Sequence, residues 1–310
     1  RLAIRRVHSQ IGRLLPPVAL NEAATLCLEL SDICPCGRPQ CATPHHRWER
    51  LTRSITEGVH ADSWSRYRDE GRVDFGRGFV GLDVVRGVVD DLQRERIRFG
   101  TLSVRWRGEP LLHPEAEPIL RLLLNAIARG TVAESLLIET DGRFVTDGLA
   151  ALSGHKAQQT WVLDADRGGF DAVAQARRRL EQHRRVGVAV LTAVTATQTL
   201  DLKRLTELGL PMRVGEMPVG QDAVWIRRGG AQHYAADAAA TDALYGIAHT
   251  LGQSISDVRD NRPQVAAASR AAPIVSWDGK VTMDPTDDQL ALPVGDVVHS
   301  ALSVAWRAQR

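Results

Sequence analysis

Aromatic side chains, charge of one dominant sign and long apolar runs are all scarce in this sequence. Phenylalanine, tryptophan and tyrosine make up only 5% of its 310 residues, and the formal net charge is +2. A protein that stacks single-stranded nucleic acid needs aromatic side chains, and one that holds a phosphate backbone needs a basic patch. No apolar run reaches the roughly 18 to 20 residues that span a bilayer. The composition therefore indicates a globular protein whose partners are neither nucleic acid nor membrane.

A secretory signal is also missing from the sequence as given. The first residues, RLAIRRVHSQIGRLLPP, are basic, but no apolar core of roughly 7 to 15 residues follows them. We therefore expect a cytoplasmic protein. In a reducing compartment, clustered cysteines indicate metal binding or catalysis more often than disulfides.

Cysteine is confined to one short stretch. All four cysteines lie within LCLELSDICPCGRPQC at 26–41, as Cys27, Cys34, Cys36 and Cys41. Cys27 falls inside a predicted strand, where a buried cysteine packs as a small hydrophobic side chain. The other three follow that strand, so they are the candidates for chemistry.

Strand-like and helix-like stretches alternate from residue 24 to residue 217. The predicted strands lie at 24–31, 98–106, 134–140, 160–166, 186–194 and 211–217. The predicted helices lie at 78–95, 114–130, 143–154, 170–185 and 199–209. Strands separated by helices are typical of a parallel α/β sheet. Right-handed crossovers would wind this sheet into a barrel or into an open doubly wound sheet, and periodicity does not choose between them.

The alternation ends near residue 217. A helix is predicted at 240–253 and a polar linker at 254–270. A hairpin is predicted around SWDGKV at 276–281, with Asp278-Gly279 as its turn, followed by a last helix near ALSVAWR. This part of the chain therefore differs in organisation from the part before it.

Three predicted strands end in unusual residues. The first runs into the cysteine loop, the second ends in WRGEPLLHP at 106–114, and the third ends in ETDG at 139–142. Parallel α/β folds gather their sites at the carboxyl ends of the strands. We therefore expect these three segments to meet at one edge of the sheet.

These segments resemble the radical S-adenosylmethionine (radical SAM) enzymes. LCLELSDIC is similar to the family's first strand, and RGEPLLHP to its GGEPLLHP-like segment, with Arg107 in place of the first glycine. ETDG and VLDA (162–165) are similar to its ETNG-like and SLDA-like strand ends. The similarity covers residues from about 20 to 217. It implies a partial (β/α)6 TIM-like barrel followed by a small α+β C-terminal extension.

The resemblance also implies an activity. Members bind a [4Fe–4S] cluster and S-adenosylmethionine, generate a 5′-deoxyadenosyl radical and abstract hydrogen from a substrate. Such an oxidoreductase or peptide-modifying enzyme would need an electron donor and a peptide or small-molecule substrate. Three cysteine ligands leave one iron open for S-adenosylmethionine.

Each implied role falls on residues of this sequence. The implied metal ligands are Cys34, Cys36 and Cys41. The implied cofactor-binding residues are Gly108, Glu109 and Pro110 for the methionine end, Thr140 and Asp141 for the ribose, and Asp164 at the same edge. No catalytic residue is assigned.

The cysteine loop departs from the family's C-x3-C-x2-C spacing. Cys34 and Cys41 keep the family's span, but Arg38 stands at the central position and Cys36 comes two residues earlier. Side chains at i and i+2 diverge in an extended chain, so Cys36 can converge with the others only through a tight turn. Gly37 permits such a turn.

Two other interpretations of this loop stay open. The chain can be a catalytically inactive relative that binds a peptide or a partner protein on the same face. Alternatively, the three cysteines hold zinc, with His45 or His46 as a fourth ligand, because thiolate and imidazole suit a closed tetrahedral site.

The C-terminal stretch at 273–306 resembles the end of the SPASM extension found on peptide-modifying members. Met283 and Asp284 stand where a cysteine would be expected, and no cysteine follows Cys41, so the tail has no thiolate ligands for a second cluster. The sequence thus predicts an N-terminal segment (1–19), a radical-SAM-like core (20–217) and a SPASM-like region without cluster ligands (218–310). A peptide substrate follows from this tail by analogy.

Simpler structural roles compete with the functional ones. Gly108 to Pro110 would form a strand-to-helix turn, because glycine and proline commonly punctuate turns. Thr140, Asp141 and Asp164 would cap helices, since threonine and aspartate are good caps. His113 and Glu115 are expected at the surface or as caps.

Overall fold

Strands and helices alternate along the chain as the apolar periodicity predicts. The computed structural model describes residues 25–35, 78–183, 187–193, 212–214, 223–227, 255–257, 273–283 and 293–308, with Arg204, Glu207, Leu208 and Leu290. The predicted segment 1–19, the predicted helix 240–253, and residues Cys36, Arg38 and Cys41 lie outside the described residues.

Eleven strands form one sheet. They are β1 (Thr25–Leu28), β2 (Phe99–Ser103), β3 (Ala133–Thr140), β4 (Gln158–Asp164), β5 (Gly187–Ala193), β6 (Met212–Val214), β7 (Ala223–Arg227), β8 (Ile255–Asp257), β9 (Ile274–Val275), β10 (Lys280–Thr282) and β11 (Gly295–Asp296). The helices are α1 (Leu82–Glu95), α2 (Ala116–Ala128), α3 (Asp147–Ala151), α4 (Ala165–Gly168), α5 (Phe170–Glu181) and α6 (Leu302–Ala308). Short 3₁₀ turns occupy Pro110–Leu112 and Leu152–Gly154.

The strand order settles how the sheet is wound. Across the sheet the order is β11-β10-β9-β1-β2-β3-β4-β5-β7-β6-β8. Every neighbouring pair from β9 to β8 is parallel. Strand β10 pairs antiparallel with both β9 and β11, so it is the one described strand that runs in the opposite direction. Consecutive order from β1 to β5 means that right-handed crossovers place their helices on one face, whereas a doubly wound sheet reverses its order. Within the described residues this is a parallel-dominated α/β sheet that winds in one direction from β1 to β5. Beyond β5 the order is no longer consecutive, because β7 lies between β5 and β6. The sheet is not closed, because β11 and β8 form its edges.

Side-chain alternation gives this sheet two unlike faces. The helix-covered face carries apolar residues such as Leu26, Leu102, Leu136 and Trp161, which share one core with the buried faces of α1, α2 and α5. The opposite face carries polar residues in register, with Thr25 opposite Thr101 and Thr101 opposite Ser135. The described helices α1, α2 and α5 pack on the apolar face, so the polar residues lie on the face opposite to them.

Helix α2 illustrates how the sequence builds this core. Its buried residues fall at helical spacing, and they are Ala116, Ile119, Leu120, Leu123, Leu124, Ala126 and Ile127. Apolar residues at i, i+3, i+4 and i+7 form one stripe along a helix. That stripe faces the sheet, so the helix is held by burial of its apolar side.

Three local predictions are wrong. The helix predicted at 143–154 begins at Asp147, because the Thr146 side chain accepts a hydrogen bond from the amide of Leu149 and so caps it. Strand β7 was not predicted and lies between β5 and β6, so the predicted sixth strand does not adjoin β5. Strand β8 falls in the predicted linker at 254–270. Strands β7 and β8 are too short for alternation to distinguish them from loop.

The C-terminal hairpin forms as predicted and joins the sheet. Strands β9 and β10 pair antiparallel, and the turn between them places Gly279 at φ +83°, where glycine is favoured. Strand β9 pairs parallel with β1. Helix α6 is tied to α1 because the buried carboxylate of Asp91 accepts from the amide and the hydroxyl of Ser303, at 2.8 and 3.1 Å. No described helix combines the length and apolarity that crossing a bilayer requires.

Candidate active site

The loops after β1 and β2 are pressed together at the carboxyl edge of the sheet. The amide of Glu109 donates to the carbonyl of Ile33 at 2.8 Å. A Cβ built on Gly108 would overlap the carbonyl oxygen of Ser31 and would lie 2.7 Å from the amide nitrogen of Ile33. Only glycine therefore fits here. The residues that precede Cys34 and the predicted methionine-binding residues are thus direct neighbours.

The carboxylate of Glu109 ties the second loop to the third. Glu109 is 3% exposed. Its Oε1 accepts from the amide of Leu111 at 3.1 Å and from the hydroxyl of Thr140 at 2.6 Å. Its Oε2 accepts from the amide of Asp141 at 2.8 Å. The side chain of Glu109 thus fixes the relative position of two strand ends.

Thr140 and Asp141 do not cap a helix, because the next helix begins at Asp147 with Thr146 as its cap. Thr140 is fully buried, and its hydroxyl accepts from the amide of Gly142 at 3.2 Å. The carboxylate of Asp141 binds Arg143, with Oδ2 2.7 Å from an Nη atom. Their contact with a ribose stays a prediction.

Burial makes the Glu109 carboxyl unusually basic. Removal from water and the nearby charge of Asp141 raise the pKa of Glu109 from 4.5 to about 8, although the bonds from Thr140 and two amides oppose the shift. The Thr140 hydroxyl can rotate, so it can also accept a hydrogen bond from the protonated carboxyl of Glu109. The loop contact is therefore compatible with a protonated Glu109 at neutral pH.

Glu109→Gln should change how stability depends on pH. In the wild type the folded state retains this proton up to about pH 8, whereas the unfolded chain releases it near 4.5. Stability contributed by Glu109 is therefore fully present below about pH 4.5 and is lost as pH rises towards 8. Urea unfolding at several pH values should show wild-type stability falling relative to the glutamine variant over this interval.

Glu117→Gln is the matched control for this experiment. Glu117 lies on an exposed part of α2 and pairs with Arg121 at 2.7 Å. Its substitution should leave the pH profile parallel to that of the wild type, since an exposed pair contributes little. A constant difference between wild type and Glu109→Gln across the interval would contradict the assignment.

Asp164 combines capping with ion pairing. It is 0% exposed, and its Oδ1 accepts from the amides of Asp166 and Arg167, at 3.0 and 3.2 Å, which caps α4. Its Oδ2 lies 3.2 Å from the guanidinium of Arg105. Arg105 also pairs with Glu139. The capping interpretation of Asp164 is therefore confirmed, with an ion-pair network in addition.

Arginines to which the sequence analysis gave no role line this edge. They are Arg105 and Arg107 after β2, Arg143 after β3 and Arg167 after β4. Each faces a carboxylate, in the pairs Arg105–Glu139, Arg105–Asp164, Arg107–Glu29, Arg143–Asp141 and Arg167–Asp164. A search for charged residues at the end of each predicted strand or within three residues after it would have found them. Paired in this way, they form a balanced network and not a basic patch.

Arg167 lies beside the first of the predicted iron ligands. Its Nη1 is 3.8 Å from the sulfur of Cys34 and donates to the carbonyl of Arg107 at 3.2 Å. Arg143 reaches the same loop by donating to the carbonyl of Pro35 at 3.3 Å. Three strand ends therefore converge on the loop that carries Cys34.

Two other residues singled out by sequence are buried within the protein. Cys27 is buried as predicted, and its thiol donates to the carbonyl of Arg105 at 2.6 Å. Burial raises the pKa of Cys27 to about 12, so the thiol is unreactive. The surface position expected for His113 is wrong. Its ring is buried, with Nε2 2.7 Å from the carbonyl oxygen of Val80, and burial lowers its pKa to about 4.

The described residues suit the cofactors that the sequence resemblance implies. No three His, Cys, Asp or Glu side chains form a metal site within the described part of the chain, and Cys36 and Cys41 lie outside it. Cys34 does lie at the predicted edge, and the Gly108 backbone has no room for a side chain. The Cys34 thiol is buried at this edge, 3.8 Å from the Arg167 guanidinium, and a thiolate is the ligand type that such a cluster needs.

Comparison with known proteins gives matches to solved structures. No family model matches the sequence, and no curated protein matches it. Native anSMEcpe with bound AdoMet and Cp18Cys peptide is similar over 91% of this chain and 79% of that chain, with a TM-score of 0.57 and 12% identity. Native anSMEcpe with bound AdoMet is similar over 91% of this chain and 80% of that chain, with a TM-score of 0.56 and 14% identity.

The chain has the radical SAM fold. The resemblance found in its strand-end motifs is therefore confirmed at the level of the fold. In this radical SAM fold the loops after β1, β2 and β3 meet at one edge, as the motifs predicted. At 12 to 14% identity the structural match establishes the architecture alone, and the activity has to be argued from the site.

Proposed function

We propose that this protein is a radical SAM enzyme that binds a [4Fe–4S] cluster and S-adenosylmethionine and abstracts hydrogen from a peptide substrate. The observation that carries the proposal is the direct contact between the cysteine loop and the Gly108–Pro110 loop. The amide of Glu109 donates to Ile33, one residue before Cys34, at 2.8 Å. A loop that holds iron and a loop that orients a cofactor on that iron must be neighbours.

Each part of this edge has a proposed role. Cys34, Cys36 and Cys41 would hold three irons of the cluster. Gly108, Glu109 and Pro110 would present backbone groups to the methionine end, while the carboxylate of Glu109 keeps that backbone fixed to Thr140 and Asp141. Thr140 and Asp141 are proposed to lie next to the ribose, with Asp164 holding Arg105 and Arg167 in place.

One-electron reduction of the sulfonium is the chemistry that such a cluster and S-adenosylmethionine supply when bound. The chain's own contribution is orientation and exclusion of water. The guanidinium of Arg167, 3.8 Å from the Cys34 sulfur, would stabilise negative charge at this point, either on cluster sulfur or on the methionine carboxylate.

A peptide substrate is supported from two sides. The C-terminal stretch resembles the extension of peptide-modifying members, and anSMEcpe, which shares the fold, has been seen with the Cp18Cys peptide. The polar face of the sheet, with Thr25, Thr101 and Ser135 in register, offers hydrogen-bonding groups below the site.

The partial barrel of six units and the division of the chain near residue 217 remain part of this proposal.

The competing proposal is a catalytically inactive relative that binds a peptide or a partner protein at this edge. Arg38 at the central ligand position favours it. The proximity of the Arg167 guanidinium to Cys34 is compatible with it as well, since a cation can replace a lost cluster next to a thiol. The two proposals differ in whether the loop binds iron.

Anaerobic purification and reconstitution should separate these proposals. If the chain is an enzyme, the protein should be brown, absorb near about 400 nm and contain roughly four irons per chain. The substitutions Cys34→Ala, Cys36→Ala and Cys41→Ala should each remove the colour and most of the iron. S-adenosylmethionine should alter the electron paramagnetic resonance spectrum of the reduced cluster.

Cys27→Ala is the matched control, because the Cys27 thiol lies within β1 and bonds to the carbonyl of Arg105. This variant should retain its iron.

Arg38→Cys restores the family's cysteine spacing and tests the proposal of an inactive relative. If the natural loop cannot hold a cluster, the Arg38→Cys variant should bind one and the wild type should not. A wild type that stays colourless would overturn the enzymatic proposal, and a tightly bound zinc would favour the zinc site. Iron retained in Cys36→Ala would show that Cys36 is not a ligand.

A further inference from the structure

A buried ion pair, Glu29–Arg107, lies between the carboxyl edge of the sheet and the C-terminal hairpin. Glu29, the residue after β1, is 1% exposed. Its Oε1 accepts from Nε of Arg107 at 2.9 Å and its Oε2 accepts from Nη2 of Arg107 at 2.7 Å. A guanidinium that meets both carboxylate oxygens fixes direction as well as distance.

The backbone amides complete the surroundings of this carboxylate. The amide of Arg107 donates to Oε1 at 3.3 Å, and the amide of Trp277, in the turn of the C-terminal hairpin, donates to Oε2 at 3.3 Å. The backbone of Glu29 joins the same hairpin, because its amide donates to the carbonyl of Val275 at 2.8 Å. Glu29 therefore contacts the hairpin and the second loop at the same time.

Arg107 transmits this contact to the residues that follow it. Gly108 is wedged against Ser31 with no room for a side chain. The carbonyl of Arg107 accepts from Arg167 at 3.2 Å. The loop thus has Glu29 on one side and Arg167 on the other, so a change at Glu29 shifts the backbone that faces the cofactor.

The arrangement depends on the residue types at these two positions. Arg107 stands where the motif that it resembles has a glycine, and glycine has no side chain to reach Glu29. Burial raises the pKa of Glu29, while the guanidinium of Arg107 opposes that rise. A buried carboxylate is costly unless it is paired, so the pair has a strong reason to stay together.

We propose that Glu29 and Arg107 are positioning residues that couple the C-terminal hairpin to the S-adenosylmethionine-binding loop. Docking of the hairpin amide of Trp277 on Glu29 orients the carboxylate, which orients Arg107 and thereby Gly108 to Pro110. The effect on S-adenosylmethionine binding rests on the proposed function, whereas the coupling of the hairpin to the loop 107–110 does not depend on that function.

Glu29→Gln and Arg107→Gly test this coupling in the full chain. In anaerobically reconstituted protein, each variant should bind S-adenosylmethionine at least about tenfold more weakly, the loss expected when a charge-assisted hydrogen bond is removed. Iron per chain should stay unchanged, because neither residue is a proposed ligand. The double variant should be no weaker than the weaker single variant, since both substitutions remove one interaction.

Hydrogen exchange provides the readout that is independent of the cofactor. In Glu29→Gln, amides in 107–112 and in 276–281 should exchange faster together, whereas those of β3 should not change. Asp91→Asn is the control for simple destabilisation, because it loosens α6 from α1 at a different point. It should lower stability, leave S-adenosylmethionine affinity within about twofold and leave exchange in 107–112 unaltered.

The outcomes separate this inference from the proposed function. If the wild type binds neither iron nor S-adenosylmethionine, the proposed function fails, and the exchange experiment alone decides the coupling. Faster exchange in 276–281 without any change in 107–112 would overturn the coupling. Unchanged S-adenosylmethionine affinity in an iron-loaded Glu29→Gln variant would overturn its role in positioning the cofactor loop.

Discussion

Gly108→Ala should lower the free energy of unfolding by at least about 3 kcal/mol, at the upper end of what overpacking costs. The added Cβ would overlap the carbonyl oxygen of Ser31 and lie 2.6 Å from its carbonyl carbon. The obstacle is backbone, which cannot move aside by changing a rotamer. The loops after β1 and β2 must therefore separate, and the hydrogen bond between Glu109 and Ile33 is lost with them.

The same substitution should weaken S-adenosylmethionine binding by more than tenfold, because a displacement of about 1 Å is enough to disrupt a positioned site. Urea unfolding and equilibrium dialysis measure the two effects. Gly87→Ala is the matched control. Gly87 lies within α1 with nothing within 4 Å of an added Cβ, so this variant should be slightly more stable than the wild type. A Gly108→Ala protein as stable as the wild type would mean that the two loops are not in contact.

Asp164→Ala should be about as damaging, with a loss of about 4 kcal/mol. The substitution removes one of the carboxylates that pair with the guanidinium of Arg105, and it removes the acceptor for the amides of Asp166 and Arg167. Both effects occur in a place from which water is excluded, since Asp164 is fully buried. The loss of a buried carboxylate from an ion-pair network and an uncapped helix start both raise the free energy of the folded state.

Asp164→Asn separates these two contributions. Asparagine can cap α4 but carries no charge, so this variant should lose only about 2 kcal/mol. Asp171→Ala removes a carboxylate that pairs with Arg204 at 2.7 Å, but that carboxylate is 86% exposed, and its loss should leave stability unchanged. Equal losses in Asp164→Asn and Asp164→Ala would show that capping is unimportant. Equal stability of Asp164→Ala and wild type would contradict the ion-pair network.

The sequence predicted which edge of the sheet carries the candidate site, but it did not predict the side-chain contacts within that site. The motif around Gly108 and the strand end at Thr140 were placed at one edge correctly, because parallel strands bring their carboxyl ends together. The role of the Glu109 side chain could not be predicted, since nothing in RGEPLLHP indicates that the carboxylate bonds to Thr140 and Asp141. Arg167 was missed for a similar reason, because its approach to Cys34 depends on two segments that are 133 residues apart.

The burial of His113 and the position of β7 were also missed, because both depend on contacts between segments that are far apart in the chain. His113 was expected at the surface or as a cap. It is buried, with Nε2 2.7 Å from the carbonyl oxygen of Val80, although it does stand at the end of the 3₁₀ turn Pro110–Leu112. The position of β7 between β5 and β6 depends on which strand it pairs with, and a short apolar run does not specify its partner.

By itself the sequence determined the alternation of strands and helices, the hairpin at Asp278-Gly279 and the edge at which the site lies. These features follow from apolar periodicity and turn chemistry, which act between residues close together in the chain. Only the tertiary structure decided the strand order, including the place of β7 between β5 and β6, and the meeting of Glu29 with Arg107 and Trp277. Trp277 is 248 residues from Glu29, and the two become neighbours only because β9 pairs with β1. Such pairing is chosen by the packing of the whole sheet, and no local pattern records it.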